Sequence, residues 1–230
     1  MGAAAGPGHG QAASAGREPV WQTVAMSRPP RSSADNPMTE EQIRAAWVVE
    51  RPRLDGPITL AEYDPAWPGL FEREATRIRA ALGDRVVMLE HTGSTSVPGL
   101  AAKPIIGMIL VVADPADEPA YEPDLQAAGY TLAIREPDWN QHRMFKGPDT
   151  DVNLHVHGPA SPEIGHQLAL RDWLRSHDDD RELYERTKRE LAARRWDYVQ
   201  NYADAKGAVI EPMIERALAA RRGRRRSIRR

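Results

Sequence analysis

Residues 90–112 read EHTGSTSVPGLAAKPIIGMILVV, and this stretch decides how we expect the chain to fold. A short apolar run rich in β-branched residues precedes it at residues 86–89, and a longer one ends it at residues 105–112. Both runs are typical of buried strands. Residues 93–99 must therefore connect two strands.

The connection is rich in small residues that suit an anion. Gly93 allows a close approach to the backbone, and Ser94, Thr95 and Ser96 add hydroxyl groups beside a run of backbone N–H groups. This combination indicates a phosphate-binding loop. The alternative is an ordinary turn, because turns use the same residues.

The composition predicts one main domain with a sizeable core, since the 230 residues are 41% apolar and 28% charged. No window approaches the roughly 18 to 20 consecutive apolar residues that span a bilayer. The N-terminus lacks a basic segment followed by an apolar one. We therefore predict no membrane insertion and a cytoplasmic location. The absence of cysteine excludes disulfides, thiolate catalysis and cysteine zinc sites.

The charge is distributed unevenly along the chain. Residues 221–230 hold seven arginines and no acid, and residues 1–37 hold three arginines and two acids, so the net charge of −2 leaves residues 38–220 at about −10. An acidic body argues against a nucleic-acid-binding face on the domain. We interpret residues 221–230 as a disordered, solubilising tail. The alternative is a tail that contacts RNA or an acidic partner.

The domain organisation follows from the same patterns. Residues 1–37 have no sustained hydrophobic period, which predicts a disordered N-terminal extension. The folded domain is expected to span residues 38–220, to start at a capping-box pattern after Met38 and to become helical from about residue 161. The shift in composition makes Met26 and Met38, besides Met1, candidates for the true initiator.

Strand patterns dominate the first part of the domain and helix patterns the last. Residues 58–63 read as a strand, and Asp64 is predicted to cap an amphipathic helix that ends at Gly83. Residues 152–157 alternate cleanly, so Asn153, His155 and His157 share a polar face. One last helix is predicted from residue 197 to residue 218. Strands followed by segregated helices predict an α+β fold.

Several motifs occur in a fixed order along the chain: YDPAWP at residues 63–68, EHTGSTSVPGL at 90–100, AKPII at 102–106, NLHV at 153–156 and LRDWLR at 170–175, followed by Tyr184, Lys188, Tyr202 and Lys206. Through them the chain resembles the GrpB family over residues 58–218. That family is grouped with the nucleotidyltransferase-like superfamily. The resemblance implies a polymerase-β-like mixed sheet with a C-terminal helical segment.

The resemblance also implies a metal-dependent chemistry. In that superfamily a Gly-Ser loop holds nucleotide phosphates, and two carboxylates two residues apart on the next strand coordinate Mg²⁺. Gly107 and Ile109 stand where the resemblance places those carboxylates. We therefore expect metal-dependent nucleotidyl transfer to be weakened or lost, and the sequence leaves open whether the chain is an enzyme.

The loop half of the motif is intact, so binding remains the predicted function. The predicted ligand is a nucleotide or another phosphorylated small molecule. Its predicted contacts are Gly93, Ser94 and Thr95, with Lys103, Arg143 and Arg171 as cationic partners. The alternative is a non-catalytic interaction protein that acts through its arginine-rich tail.

A substitute site for Zn²⁺ or Mn²⁺ is a further candidate. Its ligands would be Glu90, His91, Asp151, His155 and His157. The alternative for the histidines is hydrogen bonding on a half-exposed strand. Likewise, Arg171 and Asp172 have the alternative role of a structural ion pair. For the remaining motif residues the alternative is that they are packing and surface residues; these are Tyr184, Lys188, Tyr202 and Lys206.

Overall fold

The computed structural model describes residues 36–50 and 57–228. The helices are α1 (Glu40–Ala46), α2 (Trp67–Leu82), α3 (Glu122–Ala127), α4 (Pro162–Ser176), α5 (Asp178–Ala192), α6 (Val199–Ala205) and α7 (Gly207–Ile228). The strands are β1 (Met88–Thr92), β2 (Ile106–Val111), β3 (Thr131–Glu136), β4 (His142–Lys146) and β5 (Val152–His157). None of the helices in these two ranges has the length and apolar character needed to cross a membrane.

The strands form one mixed sheet in the order β1-β2-β5-β4-β3. β2 and β5 are parallel, and the other neighbours are antiparallel. The register places Asn153 of β5 between Gly107 of β2 and Lys146 of β4. His155 lies in the same way between Ile109 and Met144. The centre of one sheet face is therefore built from the consecutive strands β4 and β5 together with β2, which is distant from them in sequence.

The first face of the sheet carries the main hydrophobic core. Helices α2 and α3 cover it, through residues such as Phe71, Ile78 and Leu125. Val152, Leu154 and Val156 all lie in this core with no exposed surface. This confirms the alternation predicted for β5, because side chains at every second strand position share a face.

The second face is covered at its two sides and open between them. Ile164 and Leu168 of α4 pack over Ile109 of β2. At the other side, Ala46 at the end of α1 packs with Ile134 and Met144. Helices α5 and α6 hold the segment after residue 56, since Leu191 and Tyr202 pack against Ile58 and Leu60. The space between these covered sides is a cavity.

The predicted α+β architecture with a helical C-terminal segment is confirmed, and so is the capping box at the start of α1. There Gln42 N donates to Thr39 Oγ1 (3.2 Å) and Thr39 N donates to Gln42 Oε1 (2.9 Å). The strand predicted at residues 58–63 is wrong. Only Ala61 pairs, in an isolated bridge with Ala102, because the apolar residues at 58 and 60 pack against helices rather than against a strand.

The helix boundaries differ from the prediction in three places. α2 begins at Trp67, since the Asp64 carboxylate accepts a bond from Ala66 N (2.8 Å) in a turn before the helix. The single last helix is two, α6 and α7, which meet at Lys206.

α7 also continues to Ile228, where a disordered tail was expected from residue 221. Arginine is a good helix former, and Arg221 donates to Leu168 O (3.0 Å) and to Asp172 Oδ2 (2.6 Å) on α4. Residues 1–35, 51–56 and 229–230, on which most of the predicted N-terminal extension and the end of the tail fall, lie outside the described residues.

Candidate functional site

A cavity of about 500 Å³ occupies the open part of the second sheet face. The sheet contributes Gly107, Met144, Lys146, Asn153 and His155. The loop after β1 contributes Gly93, Ser94 and Thr95. The rest of the lining comes from the end of α1, the segment after residue 56, α5 and α6. The predicted phosphate loop and the polar face of β5 thus open into one space.

The cavity collects every lysine of the protein. The chain has 31 lysines and arginines, of which four are lysines, Lys103, Lys146, Lys188 and Lys206, and all four line this cavity. Among the described residues, no Asp or Glu lines it. An acidic domain therefore contains one cationic cavity, and its cations are the point-charge type that binds phosphate without a fixed planar geometry.

Each lysine is held in a different way. Lys146 Nζ donates to Asn153 Oδ1 (2.7 Å) and lies 3.5 Å from Asp151 Oδ1. Buried Lys188 donates to the carbonyl of Ala101 and lies 4.8 Å from the ring centroid of Tyr184. Lys206 and Lys103 lie 4.8 and 5.6 Å from the ring centroid of Tyr202. The aromatic rings place ammonium groups by cation–π attraction without neutralising them.

Burial and mutual repulsion weaken the hold of these lysines on their protons. Burial and the charges of Lys206 and Lys146 lower the pKa of Lys103 to about 8. Burial and the charge of Lys206 lower the pKa of Lys188 to about 7. Burial lowers the pKa of Lys206 to about 8. An anion bound among them would reverse these shifts, because an opposite charge favours the protonated form.

The loop is shaped by its glycine. Gly93 has φ +74° and ψ −155°, a conformation that L side chains rarely adopt. Its carbonyl accepts a bond from Ser96 Oγ (2.6 Å), which closes a tight turn. Thr95 is buried and donates to Ile105 O (3.3 Å). Half-buried Ser94, which is bonded to the Tyr184 phenol, is therefore the better placed hydroxyl of the loop for a ligand.

The cavity lining also contains apolar side chains. They are Ile43 and Trp47 of the first segment, Ile58 and Leu60, and Met144 of the sheet. A ligand with both anionic and apolar or aromatic groups matches this mixed lining. The volume lies in the range typical of small-molecule and cofactor sites.

The two positions where the resemblance implies carboxylates carry uncharged residues, and they also have no room for a carboxylate. A Cβ atom at Gly107 would lie 2.8 Å from the backbone oxygen of Thr92, so β1 would have to move before any carboxylate fitted there. Ile109 is fully buried beneath α4. Within residues 36–50 and 57–228, no group of three or more His, Asp or Glu side chains is arranged to hold a metal ion.

The five residues predicted as ligands of a substitute metal site do not lie together. Glu90 pairs with Arg171 (2.8 Å). His91 faces the other side of the sheet and stacks on Phe71 with ring centroids 4.8 Å apart. Burial, with the charges of Arg175 and Arg171, lowers the pKa of His91 to about 4. Asp151 is exposed and His157 fully buried, so His155 alone of the five predicted ligands lines the cavity.

Two of the predicted phosphate-binding residues also lie elsewhere. Arg143 shares the first sheet face with Phe145 and pairs with Glu118 (2.5 Å), because it stands one strand position away from the cavity face. Arg171 contacts Glu90 and the carbonyl of His91 (2.9 Å) and fastens α4 to β1. Of the six predicted residues, Gly93, Ser94, Thr95 and Lys103 line the cavity.

Sequence reasoning missed several lining residues. Lys146 and His142 share a face of β4 with Met144, and the alternation of that strand was the available signal. Lys188 and Lys206 were interpreted as packing or surface residues. Their signal was the shared spacing Tyr184–Lys188 and Tyr202–Lys206, four residues apart, which places each lysine beside a tyrosine on one helix face.

Comparison with known proteins agrees with the resemblance. The model of the GrpB protein family matches residues 57–216. A UPF0157 protein of Halalkalibacterium halodurans is 54% identical over 188 residues, which are 82% of this chain and 96% of that protein. A crystal structure of the conserved protein GrpB from Enterococcus faecalis superposes with a TM-score of 0.63 at 30% identity, covering 70% of this chain and 98% of that one.

A different name appears among more distant relatives. The dephospho-CoA kinase of Mycolicibacterium paratuberculosis is 30% identical over 187 residues, which are 70% of this chain and 45% of that kinase. The similarity therefore concerns less than half of the kinase. The family model and the relatives that match over nearly their whole length show that the chain belongs to the GrpB protein family.

Proposed function

We propose that this protein binds a nucleotide or another phosphorylated small molecule, in the cytoplasm, with the phosphate groups among Ser94, Lys103, Lys146, Lys188 and Lys206. The observation that carries the proposal is the convergence of all four lysines on a cavity whose described lining contains no carboxylate. Holding four ammonium groups together costs free energy, as the lowered pKa values of Lys103, Lys188 and Lys206 show. A bound anion would recover that cost.

The apolar part of the cavity favours a nucleotide over free phosphate. Trp47 offers aromatic surface to a base, and Lys103, Lys146, Lys188 and Lys206 line the same cavity. The similarity to part of a dephospho-CoA kinase is consistent with a phosphorylated ligand. The chain contains no Gly-x-x-x-x-Gly-Lys-Ser/Thr motif, so we do not extend kinase activity to it.

The proposed binding does not require Mg²⁺. The lysines supply the positive charge that a metal would otherwise bring to the phosphates. Gly107 and Ile109 supply no ligand oxygen, so metal-dependent nucleotidyl transfer is not part of the proposal.

Isothermal titration with ATP, CTP, GTP and UTP, each with Mg²⁺ and with EDTA, tests the proposal. We expect at least one nucleotide to bind in EDTA, and the double variant Ser94→Ala, Lys103→Ala to weaken binding. Arg186→Ala is the matched control, because Arg186 is an exposed cation on α5 outside the cavity. No binding by the wild-type protein, or equal binding by the double variant, would remove the proposed site.

The lysine count offers a second, independent measurement. Protein labelled with [¹³C]lysine should give four side-chain signals, and Lys→Arg variants assign them. Since every lysine lines the cavity, we expect ligand to shift all four. Signals that stay unmoved under saturating ligand would place binding elsewhere.

A further inference from the structure

The four ammonium groups of the cavity are linked in a series. Lys103 and Lys206 lie beside one aromatic ring, 5.6 and 4.8 Å from the ring centroid of Tyr202. Besides burial, the charges of Lys206 and Lys146 lower the pKa of Lys103, and the charge of Lys206 lowers that of Lys188. The neighbours therefore run from Lys146 through Lys103 and Lys206 to Lys188.

The two lysines in the middle of this series have no direct anionic partner. Lys103 and Lys206 make no hydrogen bond and no ion pair within the part of the chain that the structure describes. The carboxylates of Asp151 and Asp204 act on them only from outside the cavity lining. A cation–π contact leaves the ammonium charge in place. Both groups can therefore donate to a ligand.

Uncharged donors accompany the lysines. Asn153 Oδ1 accepts from Lys146 Nζ (2.7 Å), which leaves the two N–H groups of the Asn153 amide for a ligand. Gln167 Oε1 accepts from Thr92 Oγ1 (3.3 Å), which leaves the amide N–H groups of Gln167. Asn153 and Gln167 both line the cavity. Such a set of donors matches a ligand that carries acceptor oxygens along its length.

We propose that the cavity holds a chain of at least three linked phosphate groups in its metal-free form, and that Mg²⁺ weakens this binding. This inference rests on the proposed function and specifies the class of its ligand. A single phosphate reaches only part of the lysine series, whereas a triphosphate presents anionic oxygens to successive lysines. At neutral pH a nucleoside triphosphate carries about four negative charges, which match the four ammonium groups.

The effect of Mg²⁺ follows from the charges of the lining. Mg²⁺ bound to phosphate groups removes part of their negative charge, and protein sites for such complexes hold the ion with one or two carboxylates. The lining contributed by the described residues contains four lysines and no Asp or Glu. A ligand that carries Mg²⁺ therefore attracts the lysines less and finds no carboxylate to hold its metal.

Calorimetry in EDTA, at pH 7 and constant ionic strength, tests the length of the phosphate chain. The ligands are phosphate, pyrophosphate, tripolyphosphate, AMP, ADP and ATP. We expect each added phosphate to lower Kd about tenfold or more in both series, the usual worth of a hydrogen bond to a charged group. AMP that binds as tightly as ATP would overturn this inference and leave the proposed function in place. No binding by any of the six ligands would instead remove the proposed function.

The same data separate two sources of a phosphate chain. ATP that binds more tightly than tripolyphosphate would identify a nucleoside triphosphate as the ligand. Equal or weaker binding of ATP would assign the site to the phosphate chain alone. Both results support the inference, because both require three linked phosphates.

Repeating the titrations with excess Mg²⁺ tests the metal-free form. We expect Kd to rise about tenfold or more for ATP and tripolyphosphate, because the ion reduces the charge that the lysines attract. AMP is the control ligand, since it binds Mg²⁺ weakly, and its Kd should change little. Equal or tighter binding of ATP in Mg²⁺ would overturn the inference.

Asn153→Asp places a carboxylate of nearly the same shape beside Lys146 and opposite Gly107. We expect the affinity for tripolyphosphate in EDTA to fall about tenfold, and to fall less in Mg²⁺, since the new carboxylate can hold the ion. Asn140→Asp is the matched control, because it adds the same charge in the β3–β4 turn outside the cavity lining. Equal losses for the two variants would contradict the inference.

Lys146→Gln removes one end of the series at a side chain that is 36% exposed, so the fold should tolerate it. We expect tripolyphosphate to lose about tenfold in affinity and pyrophosphate to lose less, because the shorter anion can occupy the remaining three lysines. Arg186→Gln on the exposed side of α5 is the control. Equal losses for the two anions in Lys146→Gln would contradict a linear arrangement of the phosphates.

Discussion

Gly107 shows how one residue closes the position where the resemblance implies a metal-binding carboxylate. A Cβ atom there would meet Thr92 O at 2.8 Å and Thr92 C at 3.3 Å, both backbone atoms of the neighbouring strand. We expect Gly107→Ala to lower the free energy of unfolding by about 1 to 3 kcal/mol, the usual cost of overpacking, in urea denaturation. Gly165→Ala in α4 has nothing within 4 Å of the new Cβ and should stabilise by up to about 1 kcal/mol. Equal effects of the two changes would mean that the Thr92 backbone does not restrict position 107.

Lys103 illustrates a residue kept at a cost to stability. Its folded-state pKa of about 8 lies below the usual 10.5, so the unfolded chain binds the proton more tightly between these values. Burying the charged ammonium group therefore lowers the free energy of unfolding. This penalty is complete below pH 8 and disappears as the pH rises toward 10.5. We expect Lys103→Met to stabilise the protein at pH 7 by about 1 to 2 kcal/mol, and by less at pH 9.5, in urea denaturation. Arg186→Met on an exposed surface is the control, and a pH-independent gain for Lys103→Met would contradict the burial of a charged ammonium group as the source of the penalty.

At the scale of secondary structure, the sequence predicted the elements whose pattern is local. The strict alternation predicted both ends of β5 correctly, and the capping-box pattern predicted the start of α1. The pattern failed where tertiary contacts decide. Residues 58–63 have strand composition, but Ile58 and Leu60 pack against α5 and α6, and the stretch makes one bridge. The break at Lys206 is a different case, because Gly207 directly after it was a local signal for a helix end.

The β3–β4 turn offers a test of strain within one element. Gln141 has φ 54°, a region that costs a residue with a Cβ roughly 1 to 2 kcal/mol. We expect Gln141→Gly to raise the free energy of unfolding by up to about 1 kcal/mol, less than the full relief because glycine also gains freedom in the unfolded chain. Gln141→Ala retains the Cβ and should show no such gain. A larger gain from alanine than from glycine would show that the turn is not strained at this residue.

The last turns of α7 separate the proposed function from its alternative. Arg221 donates hydrogen bonds to Leu168 O and Asp172 on α4. Among the described residues, none after Lys206 lines the cavity. Deletion of residues 225–230 should therefore leave nucleotide affinity unchanged in calorimetry. Loss of a captured acidic partner or RNA with nucleotide binding intact would support a role for the arginine-rich end, and loss of nucleotide binding would contradict the cavity as the site.

The position of the site lies beyond what sequence periodicity can predict. Its lysines stand at positions 103, 146, 188 and 206, on a loop, on β4, on α5 and at the junction of α6 and α7. The pairing of β5 with both β2 and β4, and the return of the helical segment over the second sheet face, bring them together. Arg143 shows the opposite error, because a cation near the site in sequence turned to the other face of β4. The signal available from composition was the rarity of lysine in an arginine-rich chain.

The collective charge of the cavity makes ligand binding depend on pH. Lys103, Lys188 and Lys206 have pKa values of about 8, 7 and 8 in the free protein, and a bound phosphate raises them, so binding takes up protons. A phosphate ester is already dianionic above its second pKa near 6, so the ligand adds no titration of its own between pH 7 and 9.

We expect ATP affinity to fall about tenfold or more from pH 7 to pH 9, since one unit of pKa corresponds to 1.36 kcal/mol. Titrations at pH 8 in two buffers of different ionisation enthalpy should show net proton uptake. Lys103→Arg keeps its charge across this range, so it should take up fewer protons and lose less affinity at pH 9. Equal affinity at pH 7 and pH 9 with no proton uptake would mean that the lysines do not hold the phosphate.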